Sequence, residues 1–172
     1  WHTAPQNSLE DLRKGEMIVG GNGPATDTEL FGRTLNNLFG TRLKIVSGYP
    51  GQNDIILSMQ RNEVQGVANW SWSDIESRHP DWIEEKKVRF LVQFSLEPIR
   101  HPAMKDVPFI LDLARTTEER AVLNLLMQNK ALGRPYFVAP EVPAARVAAL
   151  REAFGATMRD EAFRADALKT VG

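Results

Sequence analysis

Glu16-Met-Ile-Val-Gly-Gly-Asn-Gly-Pro-Ala-Thr-Asp-Thr-Glu29 is the stretch whose reading decides the fold. Met17 to Gly20 reads as a buried strand, the glycines after it as a tight turn, and Thr26 as the start of a helix. Thr26 and Glu29 have the spacing of a capping box, with Thr26 as N-cap. Asp27 in the first turn suits the positive end of the helix dipole. Gly21 and Gly23 let the backbone take positive φ and approach a ligand closely. The N–H groups of the turn are then placed to hold a carboxylate or a phosphate. A plain strand–helix joint in any α/β domain would look the same, so the stretch alone leaves both readings open.

Working outward, a helix from about Asp27 to Phe39 gathers Leu30, Phe31, Leu35, Leu38 and Phe39 on one broad face, and Gly40 ends it. Arg42 to Ser47 is a second strand, and Gly48-Tyr-Pro-Gly51 a turn. A helix from about Gln52 to Asn62 buries Ile55, Ile56 and Met59. Val64 to Ala68 is a third strand. Asn69-Trp-Ser-Trp-Ser73 leads into another helix capped by Ser71 or Ser73, with one more helical turn around Asp81–Glu85. Val88 to Phe94 reads as a fourth strand. Ahead of all this, residues 1–7 are a polar lead-in, and Ser8 caps a short helix, Leu9 to Lys14, closed by Gly15.

This alternation predicts an α/β fold with a parallel-dominated sheet flanked by helices. Right-handed crossovers place the loops after strands one, two and three on one edge. Ligands of open α/β sheets bind at that carboxyl edge. The loops 21–28, 48–53 and 69–73 are therefore expected to converge.

After residue 94 the character changes. Pro98, Pro102 and Pro108 interrupt regular structure and mark a connection over 95–108. Helices follow at about 109–114 and 118–131, then a short strand from Pro135 to Ala139. An amphipathic helix from Pro143 to Met158 carries Val147, Leu150, Ala153 and Phe154 on one side, and a last short helix spans 160–168. The expected organisation is a lead-in (1–8), an α/β unit (9–94), the Pro-rich connection and a helical closing segment (109–172).

Composition narrows the function. The chain has 172 residues, 42% apolar, which suits one domain or one lobe plus part of another. A net charge of −1 gives no basic footprint for nucleic acid. No apolar run approaches the roughly 18 residues that suggest a membrane span. Cysteine is absent, which excludes disulfides, Cys-ligated zinc and thiol catalysis. No signal-peptide pattern opens the chain. His2, His79 and His101 share no ligand spacing, so neither a metal nor another cofactor is expected. Gly21-x-Gly23-x-x-Thr26 echoes the dinucleotide fingerprint, but Thr26 stands where Gly or Ala is wanted. Ser47-Gly48 also stands where the acidic residue is wanted. A Gly-x-Ser-x-Gly elbow is missing too.

The motifs Val19-Gly-Gly-Asn-Gly-Pro-Ala-Thr26, Tyr49-Pro-Gly51, Gln60-Arg-Asn-Glu-Val-Gln-Gly66 and Val107-Pro108 recur in order. Gly133-Arg-Pro-Tyr-Phe-Val-Ala-Pro140, Val142-Pro-Ala-Ala-Arg146 and Leu150-Arg-Glu-Ala-Phe154 follow them. Over roughly residues 9–172 this series resembles the receptors of tripartite tricarboxylate transporters, the TctC or Bug family. The resemblance implies a type II periplasmic-binding-protein fold: two α/β lobes closing on a small organic acid, a di- or tricarboxylate or a related acid, handed to membrane transporter subunits without catalysis. It implies an exported, periplasmic protein. Residues 9–94 then match the second lobe, and 109–172 packs towards the first. Members carry a first-lobe segment ahead of the point matching Trp1, so the chain is read as a fragment or a short form. Either way it is expected to bind weakly alone, with self-association through the incomplete lobe. Two departures stand out. The family's Gly-Glu-Val-Asp-Gly-like run is Asn62-Glu-Val-Gln-Gly66, and Thr26-Asp27 replaces the usual small Ser.

The resemblance and the loop positions together select candidate ligand contacts. Gly21, Gly23, Ala25, Thr26 and Thr28 would act mostly through backbone N–H groups near the helix start. Asp27 would point away, since a carboxylate repels an anion. Tyr49, Gly51 and Asn53 form the second loop, where an ordinary turn with Tyr49 as packing is the alternative. Trp70 and Ser71, with Trp72, form the third; one tryptophan would wall the cleft and the other pack inward. Arg100, in Arg100-His-Pro102, would stabilise the connection. The rival functions are an effector-sensing domain of a transcription regulator and, further off, a nucleotide-binding enzyme domain.

Overall fold

The computed structural model describes residues 1–131 and 135–171. Its centre is β1 (Met17–Gly21), flanked in a three-stranded parallel sheet by β2 (Leu43–Ser47) and β3 (Gly66–Val67), in the order β2-β1-β3. Met17 pairs with Leu43 through to Gly21 with Ser47, and Val19 and Gly20 pair with Gly66 and Val67. β1 is apolar because both its faces are covered. Met17 and Val19 join Leu12, Leu35, Phe39 and Leu43 in the main core. Ile18, on the opposite face, packs with Ile55, Met59 and Val64. Gly20 lets the second layer close, since a Cβ there would lie 2.5 Å from Ile55 Cγ2.

The helices α1 (Leu9–Lys14), α2 (Asp27–Phe39) and α3 (Gln52–Gln60) fall where their patterns place them. Ser8 Oγ accepts from the Asp11 N–H at 3.1 Å, the expected cap of α1. Gly40, at φ 67°, ends α2 in the left-handed conformation. On α2, Phe31, Leu35 and Phe39 are buried, but Leu30 is 36% exposed and leaves the predicted face. Asn36 stitches α2 to β2: its Nδ2 donates to the Leu43 carbonyl and its Oδ1 accepts the Leu43 N–H, both at 2.9 Å.

Several expectations fail. The third strand shrinks from 64–68 to Gly66–Val67, because Val64 turns into the α3 layer. Gln65 takes the vacated ladder position: its N–H donates to the Ile18 carbonyl and its Oε1 accepts the Ile18 N–H, each at 2.8 Å. Val88–Phe94 forms no strand; a bridge between Gln93 and Phe109 is the pairing it makes. A two-residue β3 offers too short an edge for seven residues to pair along. The segment instead presses Leu91, Val92 and Phe94 onto the core, with Phe94 stacked 4.5 Å from Phe31.

The lead-in is not loose either. Ala4 and Gln6 are buried. The Arg89 guanidinium donates to the carbonyls of Ala4 (2.8 Å), Gln6 (3.2 Å) and His2. The Trp1 ring lies edge-on to Trp82 at 4.8 Å. Residues 1–6 therefore strap across the segment near residue 89.

α4 (Trp72–Arg78) and α5 (Pro80–Glu84) follow β3. The connection over 95–108 is irregular apart from a 3-10 turn at Pro102–Met104. Gln93, 5% exposed, holds it: Nε2 donates to the carbonyls of Met104 (3.0 Å) and Val107 (2.8 Å), and Oε1 accepts the Ile99 N–H (2.9 Å). The predicted helix at 109–114 is a 3-10 turn, Ile110–Leu113. Ile110, Leu111 and Leu123 of α6 (Thr117–Ala131) enter the same core as the sheet.

Pro135–Ala139 is not a strand; its residues are exposed and unpaired, and Pro135 has no N–H to offer a ladder. Gly133-Arg134, the start of the motif quoted for that region, lies outside the described residues. α7 (Ala144–Arg159) has no buried residue, so the predicted apolar side is largely exposed at Leu150 and Phe154, with the Tyr136 ring 5.4 Å from that of Phe154. α8 (Glu161–Val171) lies against α7 and α4. No described helix is long and apolar enough to cross a membrane.

Candidate functional site

The carboxyl edge of the sheet brings the three strand-exit loops together. The Tyr49 N–H donates to the Gly21 carbonyl at 3.2 Å, joining the second loop to the first. Gln52 Nε2 donates to the Asn69 carbonyl at 3.2 Å, joining the second to the third. Tyr49 and Trp70 both rest on the Ile55–Met59–Val64 layer.

The first loop is built differently from the expected capping box. Thr26 is the N-cap by position, but its hydroxyl donates to the Gly23 carbonyl at 2.6 Å and caps no N–H. Glu29 does not reach back to Thr26. It is fully buried, and its Oε1 accepts the Gly23 N–H at 2.9 Å and the Ser47 hydroxyl. Its Oε2 meets Arg33 at 2.9 Å on the outer side. The Asn22 N–H donates to Thr28 Oγ1 at 3.2 Å, and the Thr28 hydroxyl donates to Asn22 Oδ1. Two of the N–H groups expected to face an anion are thus satisfied within the protein, one of them by the protein's own carboxylate.

Gly21 makes room for this carboxylate, since a Cβ there would stand 2.5 Å from Glu29 Cγ. Gly23 turns the chain at φ 129°. Ala25 and Asp27 are exposed, and Thr28 is buried.

In the second loop Gly48 has φ 105°, and Gly51 stands at the start of α3 with Asn53 exposed in its first turn. In the third, the Trp70 indole N–H donates to Asp74 Oδ2 at 2.9 Å, and its ring meets His79 and Trp82 edge-on. Ser71 is the N-cap position of α4 and is exposed. Trp72 faces Phe90 at 5.6 Å and His101 at 4.7 Å. Both tryptophans are half-buried, so neither is simply core.

A cavity of about 510 Å³ lies between this third loop and the segment 88–96. Trp70, Ser71, Trp72, Phe90, Ser95 and Ile99 line it. Of the residues singled out from sequence, Trp70 and Ser71 reach this lining. Gly21, Gly23, Ala25, Thr26, Thr28, Tyr49, Gly51 and Asn53 lie along the adjoining edge outside it. Phe90, Ser95 and the buried Glu29 were missed. The apolar composition of 88–94 includes Phe90 without marking it out, and nothing local marks Ser95.

The histidines serve separate ends: His79 stacks on Trp82 at 4.1 Å, and His101 Nδ1 accepts the Ala103 N–H at 3.1 Å. Among the described residues no cluster of His, Cys, Asp or Glu is arranged to hold a metal ion.

No family model matches the chain, and no curated protein matches its sequence. Among solved structures, a TctC solute-binding protein from Polaromonas, determined without ligand, superposes with a TM-score of 0.50 at 16% identity. The match covers 77% of this chain and 50% of that one, so the chain spans about half the length of this neighbour. The likeness shows a TctC-like fold, a mixed α/β architecture with a small parallel sheet flanked by helices, as in part of a periplasmic-binding-protein fold.

Proposed function

We propose that the chain is a ligand-binding lobe of a receptor for small organic acids, working by capture and delivery to a membrane transporter and not by catalysis. The observation that carries this reading is the junction of the three strand-exit loops, through Tyr49 to Gly21 and Gln52 to Asn69, at the edge where α/β sheets take ligands. The TctC-like fold supports it. In this reading Gly21, Gly23, Ala25, Thr26 and Thr28 form one wall, Tyr49, Gly51 and Asn53 a second, and Trp70 and Ser71 a third. Lobe closure over this edge would supply the remaining contacts, and the periplasm is the compartment that fits.

Thermal denaturation of the chain with a panel of small organic acids and nucleotides at 10 mM tests the reading. An acid with a millimolar dissociation constant contributes about 1.4 kcal/mol at that concentration, enough to raise the melting temperature by several degrees. Stabilisation by one or more acids is expected. Stabilisation by nucleotides alone, or by nothing, would sink the proposal.

A further inference from the structure

We infer that the cavity beside the third loop takes a ring-bearing solute with at most one negative charge, and not a di- or tricarboxylate. The inference rests on the solute-binding reading above and narrows it.

Charge is the first argument. The segments 20–28, 47–53 and 68–73 contain no Lys, Arg or His, but they contain Asp27 and lie over the buried Glu29. At the glycine turn the Gly23 N–H already serves Glu29, and the Asn22 N–H already serves Thr28. An anion arriving there finds those donors occupied and a carboxylate already in place. Arg89 is the charged residue in the cavity lining, and its guanidinium is bound to three backbone carbonyls. One shared positive charge can balance one carboxylate. The second and third charges of a polycarboxylate would be desolvated without a partner, which is strongly unfavourable.

Shape and chemistry are the second argument. The walls are the indoles of Trp70 and Trp72 and the Phe90 ring, with Ile99 beside them. About 510 Å³ falls within the range of small-molecule pockets, which are mostly apolar with few polar anchors. Flat aromatic walls favour a ring by offset or edge-on stacking.

A third, independent observation supplies an anchor. The Ser95 hydroxyl oxygen is buried in this lining and has no hydrogen-bond partner. Buried polar groups are nearly always satisfied; Oγ is sealed behind the lining as it stands, and a χ1 rotation to another staggered rotamer would present it to a ligand's polar atom. Gln93, its neighbour, is no substitute, because its amide already makes three bonds.

Titration calorimetry on the 172-residue chain at fixed ionic strength, with 4-hydroxybenzoate, succinate and citrate as probes, decides the matter. The aromatic monocarboxylate is expected to bind at least tenfold tighter than either polycarboxylate. Ser95→Ala should weaken it about fivefold, the worth of one ordinary hydrogen bond, without lowering the melting temperature. Trp72→Ala should weaken it more than tenfold, and Trp72→Phe, which keeps the wall, should recover most of the loss. Citrate or succinate binding as tightly as 4-hydroxybenzoate overturns the inference and leaves the receptor reading standing. Aromatic binding indifferent to both Ser95→Ala and Trp72→Ala also overturns it, since the site would lie elsewhere. Absence of binding by all three probes counts against this inference, while the wider acid panel still decides the receptor reading separately.

Discussion

At the scale of single residues, Glu29 sets the terms. A carboxylate sealed from water needs a donor for each oxygen, and here the Gly23 N–H, the Ser47 hydroxyl and Arg33 provide them. Removing the acceptor strands buried donors, which costs about 1–3 kcal/mol. Glu29→Ala is therefore expected to lower stability by about 3 kcal/mol in urea denaturation, and Glu29→Gln by about 1 kcal/mol, since an amide can still accept from Gly23. Arg33→Ala should cost about 1–2 kcal/mol, less than Glu29→Ala: it removes the donor to Oε2 of a carboxylate that is 1% exposed, while water can enter in place of the half-exposed guanidinium. Gly21→Ala should resemble Glu29→Ala, because the added methyl occupies the place of Glu29 Cγ. Equal stability of Glu29→Ala and the parent chain would contradict this account. The sequence showed Glu29 three places after Thr26 and so suggested a cap. Its real partner, Ser47, arrives eighteen residues later on another strand, which no local spacing can announce.

At the scale of elements, what could be read from sequence was what local chemistry determines. β1, β2, α2 and α3 each carry their own burial pattern and their own stop signal, such as Gly40, and they appear with the expected bounds to within a residue or two. The meeting of the strand-exit loops followed from connectivity. Val88–Phe94 has the composition of a strand but needs an edge to pair with, and β3 supplies two residues. The stripe on α7 was legible too, but periodicity says that a face is apolar, not that anything covers it. Charge also acts element by element. The Glu119 carboxyl, at the start of α6, is held below its ordinary value by hydrogen bonds from the Arg115 guanidinium and backbone N–H. A depressed carboxyl contributes stability above its unfolded value and loses it as pH falls through the folded one. The protection factors of the amides along the first turn of α6, taken against the intrinsic exchange rate at each pH, should therefore fall in acid, and Glu119→Gln should remove that pH dependence. An acid-insensitive first turn in the parent chain would refute the assignment.

At the scale of the whole molecule, the surface is too large for the mass. A compact monomer of 19.3 kDa exposes roughly 8,500 Å², whereas this chain exposes 11,334 Å². Leu150, Phe154, Met158, Phe163 and Leu168 on α7 and α8 contribute to the difference. Apolar patches of this kind drive association. Sedimentation should show the chain self-associating as concentration rises, and Leu150→Lys with Phe154→Lys should suppress it with little change in melting temperature. A chain that stays monomeric at high concentration would count against this. The strap formed by residues 1–6 carries a different consequence, one of timing. Its grips are Lys87 and Arg89, and the core beneath includes Ile110 and Leu123. Residues 1–6 cannot close over the segment near residue 89 until that segment is in place, and the core beneath takes side chains from some twenty to thirty residues further along. The fold cannot lock early: contacts between residues so far apart in sequence carry a large closure entropy, and refolding should be slow for a chain of this size.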